Sequence, residues 1–170
     1  PCTIASLTAF EVAKLCGGHA ESFLVTGIPE FTLGSALKIA LLAFLCAALS
    51  ILFCKTLHSA EHLYKKYIKN PYLRIFVGGV LVILLAKILG TTDYLGGGMN
   101  IVERAVEGEV APAAFVLKLI FTALTLGAGF KGGEIVPTLF VGSTFGCLFG
   151  QIIGFSPSLC AACGMIALFS

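Results

Sequence analysis

Apolar residues fall into four long runs broken by short polar or glycine-rich intervals, at residues 33–53, 75–89, 110–130 and 135–155. Three carry one lysine each, Lys38, Lys87 and Lys118, and the fourth carries no charge. A helix needs about 20 apolar residues to cross a hydrocarbon core, so three runs reach spanning length and the second does so with Leu73 or Leu95 included. Residues 2–15 show helical apolar spacing, with Glu11 and Lys14 near the end. Gly17, Gly18, Gly27 and Pro29 mark a loop, and Pro29-Glu30-Phe31-Thr32 reads as the approach to the next helix. Helices are expected at 2–15, 33–66, 72–90, 99–107, 111–126, 134–153 and 158–170.

Composition sharpens this into a membrane protein. Of 170 residues 58% are apolar and 12% charged, with a net charge of +2; soluble domains are about 45–50% apolar and about 25% charged. So few polar groups cannot cover a water-soluble globule, and no basic run is dense enough to track nucleic-acid phosphates. The expected class is all-α: a multi-span helical membrane protein with broken helices. The chain begins at Pro1 and ends in the short apolar run 159–170. It therefore reads as one partial transmembrane domain, an internal piece of a longer protein.

Charge orients the connections. Lys55, Lys65, Lys66, Lys69 and Arg74 face only Glu61 between the first two runs, which places that link in the cytoplasm. Asp93, Glu103, Glu107 and Glu109 face only Arg104 after the second run, on the opposite side. Lys38, Lys87 and Lys118 are read as snorkelling to the interface. The cysteines Cys46, Cys54, Cys147, Cys160 and Cys163 lie in or beside apolar runs and read as small hydrophobes rather than as a disulfide framework. Gly142, Gly146, Gly150 and Gly154 form three consecutive GxxxG steps, a groove for a second backbone.

The strongest candidate site is the segment 127–137, Gly-Ala-Gly-Phe-Lys-Gly-Gly-Glu-Ile-Val-Pro. Its glycines release the backbone from helix, and Pro137 is tolerated in the first turn of a new one. A helix starting near Glu134 aims bare N–H groups and the positive end of its dipole at whatever lies before it, which suits an anion. If the break lies at bilayer depth it resembles a transporter's discontinuous helices, and Glu134 becomes an ionisable group in a dry cavity. The competing reading is a solvated turn between two ordinary spans. His58-Ser-Ala-Glu-His62 matches a zinc-peptidase helix, with His58 and His62 as ligands and Glu61 activating water; the bland alternative is a solvated cationic helix end. Gly96-Gly97-Gly98-Met99-Asn100 is a glycine break leading into a short helix.

These residues together resemble the CLC family of chloride channels and anion/proton antiporters. The family's second-half anion motif, Gly-Gly-x-Phe-x-Pro before a glycine-spaced helix, stands here as Gly132-Gly133-Glu134-Ile135-Val136-Pro137. Glu134 and Ile135 depart from the common pattern, and an acid at this place is similar to the branch that exchanges fluoride for protons. The resemblance implies a fragment of an inverted-repeat transporter fold, in which Gly132, Gly133, Glu134 and Ile135 bind the anion and Glu134 also couples the proton. It implies a chloride channel or chloride/proton exchanger as the alternative. It further implies a multi-pass protein of a bacterial-type cell membrane, homodimeric when complete, with inorganic anions, protons and lipid as partners. No enzyme activity, cofactor, metal or nucleic acid is expected on this reading. The first-half serine loop, external gating glutamate and pore tyrosine of that family have no counterpart between Pro1 and Ser170, so this stretch is expected to supply half a site.

Overall fold

The computed structural model describes residues 2–17, 25–27, 29, 30 and 32–169. Gly18 and Phe31 of the predicted loop, and the terminal Pro1 and Ser170, lie outside the described residues. Seven helices follow one another, α1 (Cys2–Leu15), α2 (Leu33–Tyr67), α3 (Pro71–Leu89), α4 (Met99–Glu107), α5 (Ala114–Gly127), α6 (Ile135–Ile153) and α7 (Pro157–Phe169). No strand occurs among the described residues. Three helices, α2, α3 and α6, are long and apolar enough to cross a membrane.

Local chemistry sets the ends. Ser35 turns back so that its Oγ accepts from the Thr32 N–H at 2.8 Å, closing the start of α2. That helix has 35 residues, about 52 Å at 1.5 Å each, so its charged last turns extend beyond an apolar core of about 30 Å. Asn70 caps α3, its side chain accepting from the Tyr72 N–H at 3.0 Å, and Pro71 takes the first helical position where no N–H is missed. Gly90, at φ 66°, stops α3 in the left-handed region, so the helix ends one residue short of the expected boundary. Ala111 to Ala113 form a turn closed by the Ala114 N–H on the Ala111 carbonyl at 2.9 Å, which delays α5. The short α4 is amphipathic: Val102, Ala105 and Val106 are buried while Glu103, Arg104 and Glu107 are exposed.

Helices α6 and α7 form the densest part of the molecule. The glycine face of α6 meets α7 backbone directly: a Cβ at Gly142 would overlap the Gly164 carbonyl oxygen, and one at Gly146 that of Cys160. A Cβ at Gly150 would sit 2.7 Å from the Pro157 Cα. Gly154 is not part of this groove. It caps α6 at φ 64° with nothing near it, so the fourth regularly spaced glycine ends the helix instead of packing it.

Around this pair, α2 supplies Leu42, Cys46, Leu49 and Phe53 to a core shared with Leu119, Val141, Phe149 and Cys160. A second core joins Tyr94, Val102, Ala114, Phe121 and Phe140. Cys46, Cys147 and Cys160 are buried as small apolar groups, but Cys54 is exposed and departs from that reading. The outer face of α3 stays bare, with only Gly78 buried, and α1 is exposed along its described side chains.

Two glycines seat the end of α5. A Cβ at Gly127 would come 2.9 Å from Ala60 Cβ on α2, and one at Gly78 would overlap Ala128 Cβ. Arg74 on α3 then donates its Nε to the Ala128 carbonyl at 3.1 Å, a cation on the carbonyl end of α5. The chain is thus fixed just before it enters the Gly129–Gly133 segment.

Candidate functional site

The backbone leaves helix after Gly127, with Ala128 as cap residue, passes through Gly129 at φ 98°, and re-enters helix at Ile135 with Glu134 as cap residue. At the new start the Thr138 N–H and Oγ1 both donate to the Glu134 carbonyl, at 3.1 and 2.7 Å. The amide N–H groups of Gly133, Glu134, Ile135 and Val136 meet no acceptor among the described residues. Pro137 has no N–H to leave unpaired. The first turn of α6 therefore presents a set of free donors at the positive end of a 19-residue helix.

Cavities surround this break. One, of about 220 Å³, is lined by Gly132, Gly133 and Pro137 together with Tyr94 and Gly96 and with Lys118 and Thr122 of α5. A second, of about 420 Å³, is lined by Gly132, Lys131 and Glu134 together with His58, Glu61 and Cys54 of α2. A third, of about 240 Å³, lies against Glu134, Ile135 and Thr138, facing Ser50 and Phe53.

The four predicted residues are thus contiguous but do not share one cavity. Gly132 belongs to the first and second, Gly133 to the first, Glu134 to the second and third, and Ile135 to the third. The Glu134 side chain is exposed among the described residues and makes no cap hydrogen bond. Within these residues the break is open on the Glu134 side.

The His58 to His62 constellation is also relocated. His58 Nδ1 lies 3.0 Å from the Cys54 carbonyl oxygen, and Glu61 pairs with Lys65 at 2.5 Å along the helix. No group of three metal-ligating side chains converges among the described residues. What the fold does bring together is His58 and Glu61 with Glu134, across the second cavity, while His62 does not line it.

Lys118 corrects the sequence reading most sharply. It was expected to snorkel, yet it is 1% exposed. Its Nζ donates to the carbonyls of Gly96 at 2.6 Å, Tyr94 at 3.2 Å and Gly97 at 3.4 Å, and sits 4.9 Å from the centre of the Phe140 ring. Tyr94 stacks on Phe121 and meets Phe140 edge-on, with ring centres 6.2 and 6.3 Å apart, completing an aromatic wall. Gly98, at φ 69°, holds the loop so close to Phe140 that a Cβ there would come within 2.7 Å of the ring. Lys118, Thr122 and Thr125 stand at i, i+4 and i+7, a polar stripe on an otherwise apolar helix; that spacing was the available signal for an inward-facing lysine. Lys38, by contrast, is half-buried over the Phe155 ring at 5.1 Å, and Lys87 is exposed.

The family model described as "Voltage gated chloride channel" matches residues 1–170. The chain is 26% identical over 176 residues to the "Chloride/fluoride channel protein" of Pseudomonas syringae pv. tomato, covering 100% of this chain and 39% of that protein. It is 30% identical over 146 residues to the "H(+)/Cl(-) exchange transporter ClcA" of Vibrio cholerae serotype O1, covering 76% of this chain and 31% of that one. The solved structure described as a "CLC-type fluoride/proton antiporter" superposes with a TM-score of 0.89 at 26% identity, over 97% of this chain and 42% of that chain. The chain spans about two fifths or less of the length of these relatives.

Proposed function

The chain belongs to the voltage gated chloride channel family, and from that footing we propose that it forms part of a membrane transporter, not an enzyme, that exchanges fluoride for protons. The observation that carries the reading is the run of amides at Gly133 to Val136 that meet no acceptor among the described residues, the first of which, Gly133, lines a cavity edged by the buried Lys118. Fluoride gives up its hydration shell only where several donors replace it together, and backbone N–H groups at a helix start supply several donors in one turn. Gly132, Gly133, Glu134 and Ile135 are the residues we assign to the anion.

Glu134 is the proton-coupling group. Protonated, its carboxyl adds a donor beside the anion; ionised, it repels the anion, so occupancy by one ion biases the other. Its position on a cavity shared with His58 and Glu61 gives it titratable neighbours toward the lysine-rich α2–α3 link, the side we assign to the cytoplasm. The whole protein is proposed to be a homodimer with several passes through a bacterial cell membrane, each subunit supplying its own pathway. The fluoride/proton title of the superposed structure and the chloride/fluoride name of the Pseudomonas relative favour this substrate.

A chloride/proton exchanger is the second reading, favoured by the name of the Vibrio relative. Flux from liposomes carrying the whole protein separates them. Fluoride efflux that drives proton uptake, at a rate at least tenfold above chloride, is expected. Equal chloride flux selects the second reading, and anion flux without proton movement overturns antiport. Glu134→Gln is expected to abolish proton movement, and unchanged coupling would take that role from Glu134.

A further inference from the structure

Lys118 is buried inside the fold with no carboxylate against it among the described residues. Among the described residues the ion pair present is Lys65 with Glu61, far along α2, and the residues edging the Lys118 cavity include no Asp or Glu. The three carbonyls that receive its protons solvate the ammonium but carry no net charge to cancel it. Burying an ion so incompletely neutralised is costly unless another charge approaches. The cavity of about 220 Å³ is where such a charge has room, and Gly132 and Gly133 line it as well.

The geometry has a second consequence. Tyr94 and Gly96 edge the same cavity as Lys118. Without a cation, their carbonyl oxygens and that of Gly97 would be a cluster of negative dipole ends beside an anion. Lys118 turns that cluster into its own solvation shell, so the loop edge of the cavity changes from repelling an anion to attracting one. The Phe140 ring at 4.9 Å keeps the ammonium in place and water away from it.

We propose that Lys118 is the fixed positive charge of the anion site, setting anion affinity from the α3–α4 loop side together with the α6 amides. This rests on reading the Gly132–Ile135 break as an anion site, and adds to it a residue from α5. Lys118 acts through the field and by positioning the Tyr94–Gly97 carbonyls.

The test is thermal melting of the whole protein in detergent as sodium fluoride, and separately sodium chloride, replaces sodium gluconate at constant ionic strength. Wild type, Lys118→Arg, Lys118→Gln and Lys118→Met are compared. An anion that binds the folded form raises the melting temperature with a half-saturation set by its affinity. Wild type is expected to be stabilised, Lys118→Arg to half-saturate within about threefold of it, and both neutral variants to need at least tenfold more anion. A wild type that neither anion stabilises sinks the anion-site reading itself. Stabilised wild type with equal half-saturation in a folded neutral variant overturns the role of Lys118 alone. Failure of both neutral variants to fold assigns Lys118 a purely structural tether and overturns it too, as does a structure of the whole protein with a carboxylate seated against Nζ.

Discussion

Two glycine-rich stretches lie within a few turns of one another and use the missing side chain in opposite ways. Along α6, Gly142, Gly146 and Gly150 are filled by the backbone of α7, so closely that any Cβ would collide with a main-chain atom. At the break before α6, a Cβ on Gly133 would meet nothing within 4 Å, and one on Gly132 only the flexible end of Leu126 at 3.3 Å. The first set is occupied and the second is vacant. Glycine at a packed face carries stability, whereas glycine at a vacant face keeps a space in which something else can sit against bare amides.

The contrast orders the expected effects of substitution. Gly146→Ala puts a methyl group onto the Cys160 carbonyl and forces α6 from α7; we expect a loss of about 3 kcal/mol or more, read as a large fall in melting temperature or failure to fold. Arg74→Met removes the cation from the Ala128 carbonyl at the half-buried end of α5, and about 1.5–2 kcal/mol should go with it in the same assay. Gly133→Ala has neither a clash nor a positive φ to overcome, so stability should change by less than about 1 kcal/mol. Its fluoride half-saturation should nevertheless rise several-fold, because the methyl enters the vacant space. A stable Gly133→Ala with unaltered fluoride binding would show that the vacancy is incidental. Smallest of all, Glu61→Gln breaks an exposed i, i+4 pair with Lys65 and should leave the melting temperature within error. Any effect of it belongs in proton uptake, through the cavity shared with Glu134.

Much of the fold is written locally. Asn70-Pro71 and Gly90 bracket α3, and apolar runs of spanning length give α2 and α6, because caps and hydropathy act over a few residues. The break at Gly132–Pro137 is legible for the same reason, since glycine and proline punctuate the backbone wherever they occur. What was misread depends on the third dimension. Gly154 has the same four-residue spacing as the packed glycines, and only its φ of 64° shows that it ends the helix. Lys118 in an apolar run looks like Lys38 and Lys87 until Phe140 of α6 and the Tyr94–Gly97 loop close around it. His58 and Glu61 gain a relation to Glu134 only because Gly127 lets α5 press against Ala60, delivering the break to the end of α2. The exposed Glu134 side chain marks the reverse case, in which these residues build one edge of a site.

The most direct test of the central claim is a structure of the whole protein in fluoride, at a resolution that shows single ions. The account predicts an anion about 3 Å from the amide nitrogens of Glu134 and Ile135, on the vacant face of Gly132 and Gly133. Amides satisfied instead by protein groups from elsewhere in the molecule, with the anion bound away from this turn, would contradict it.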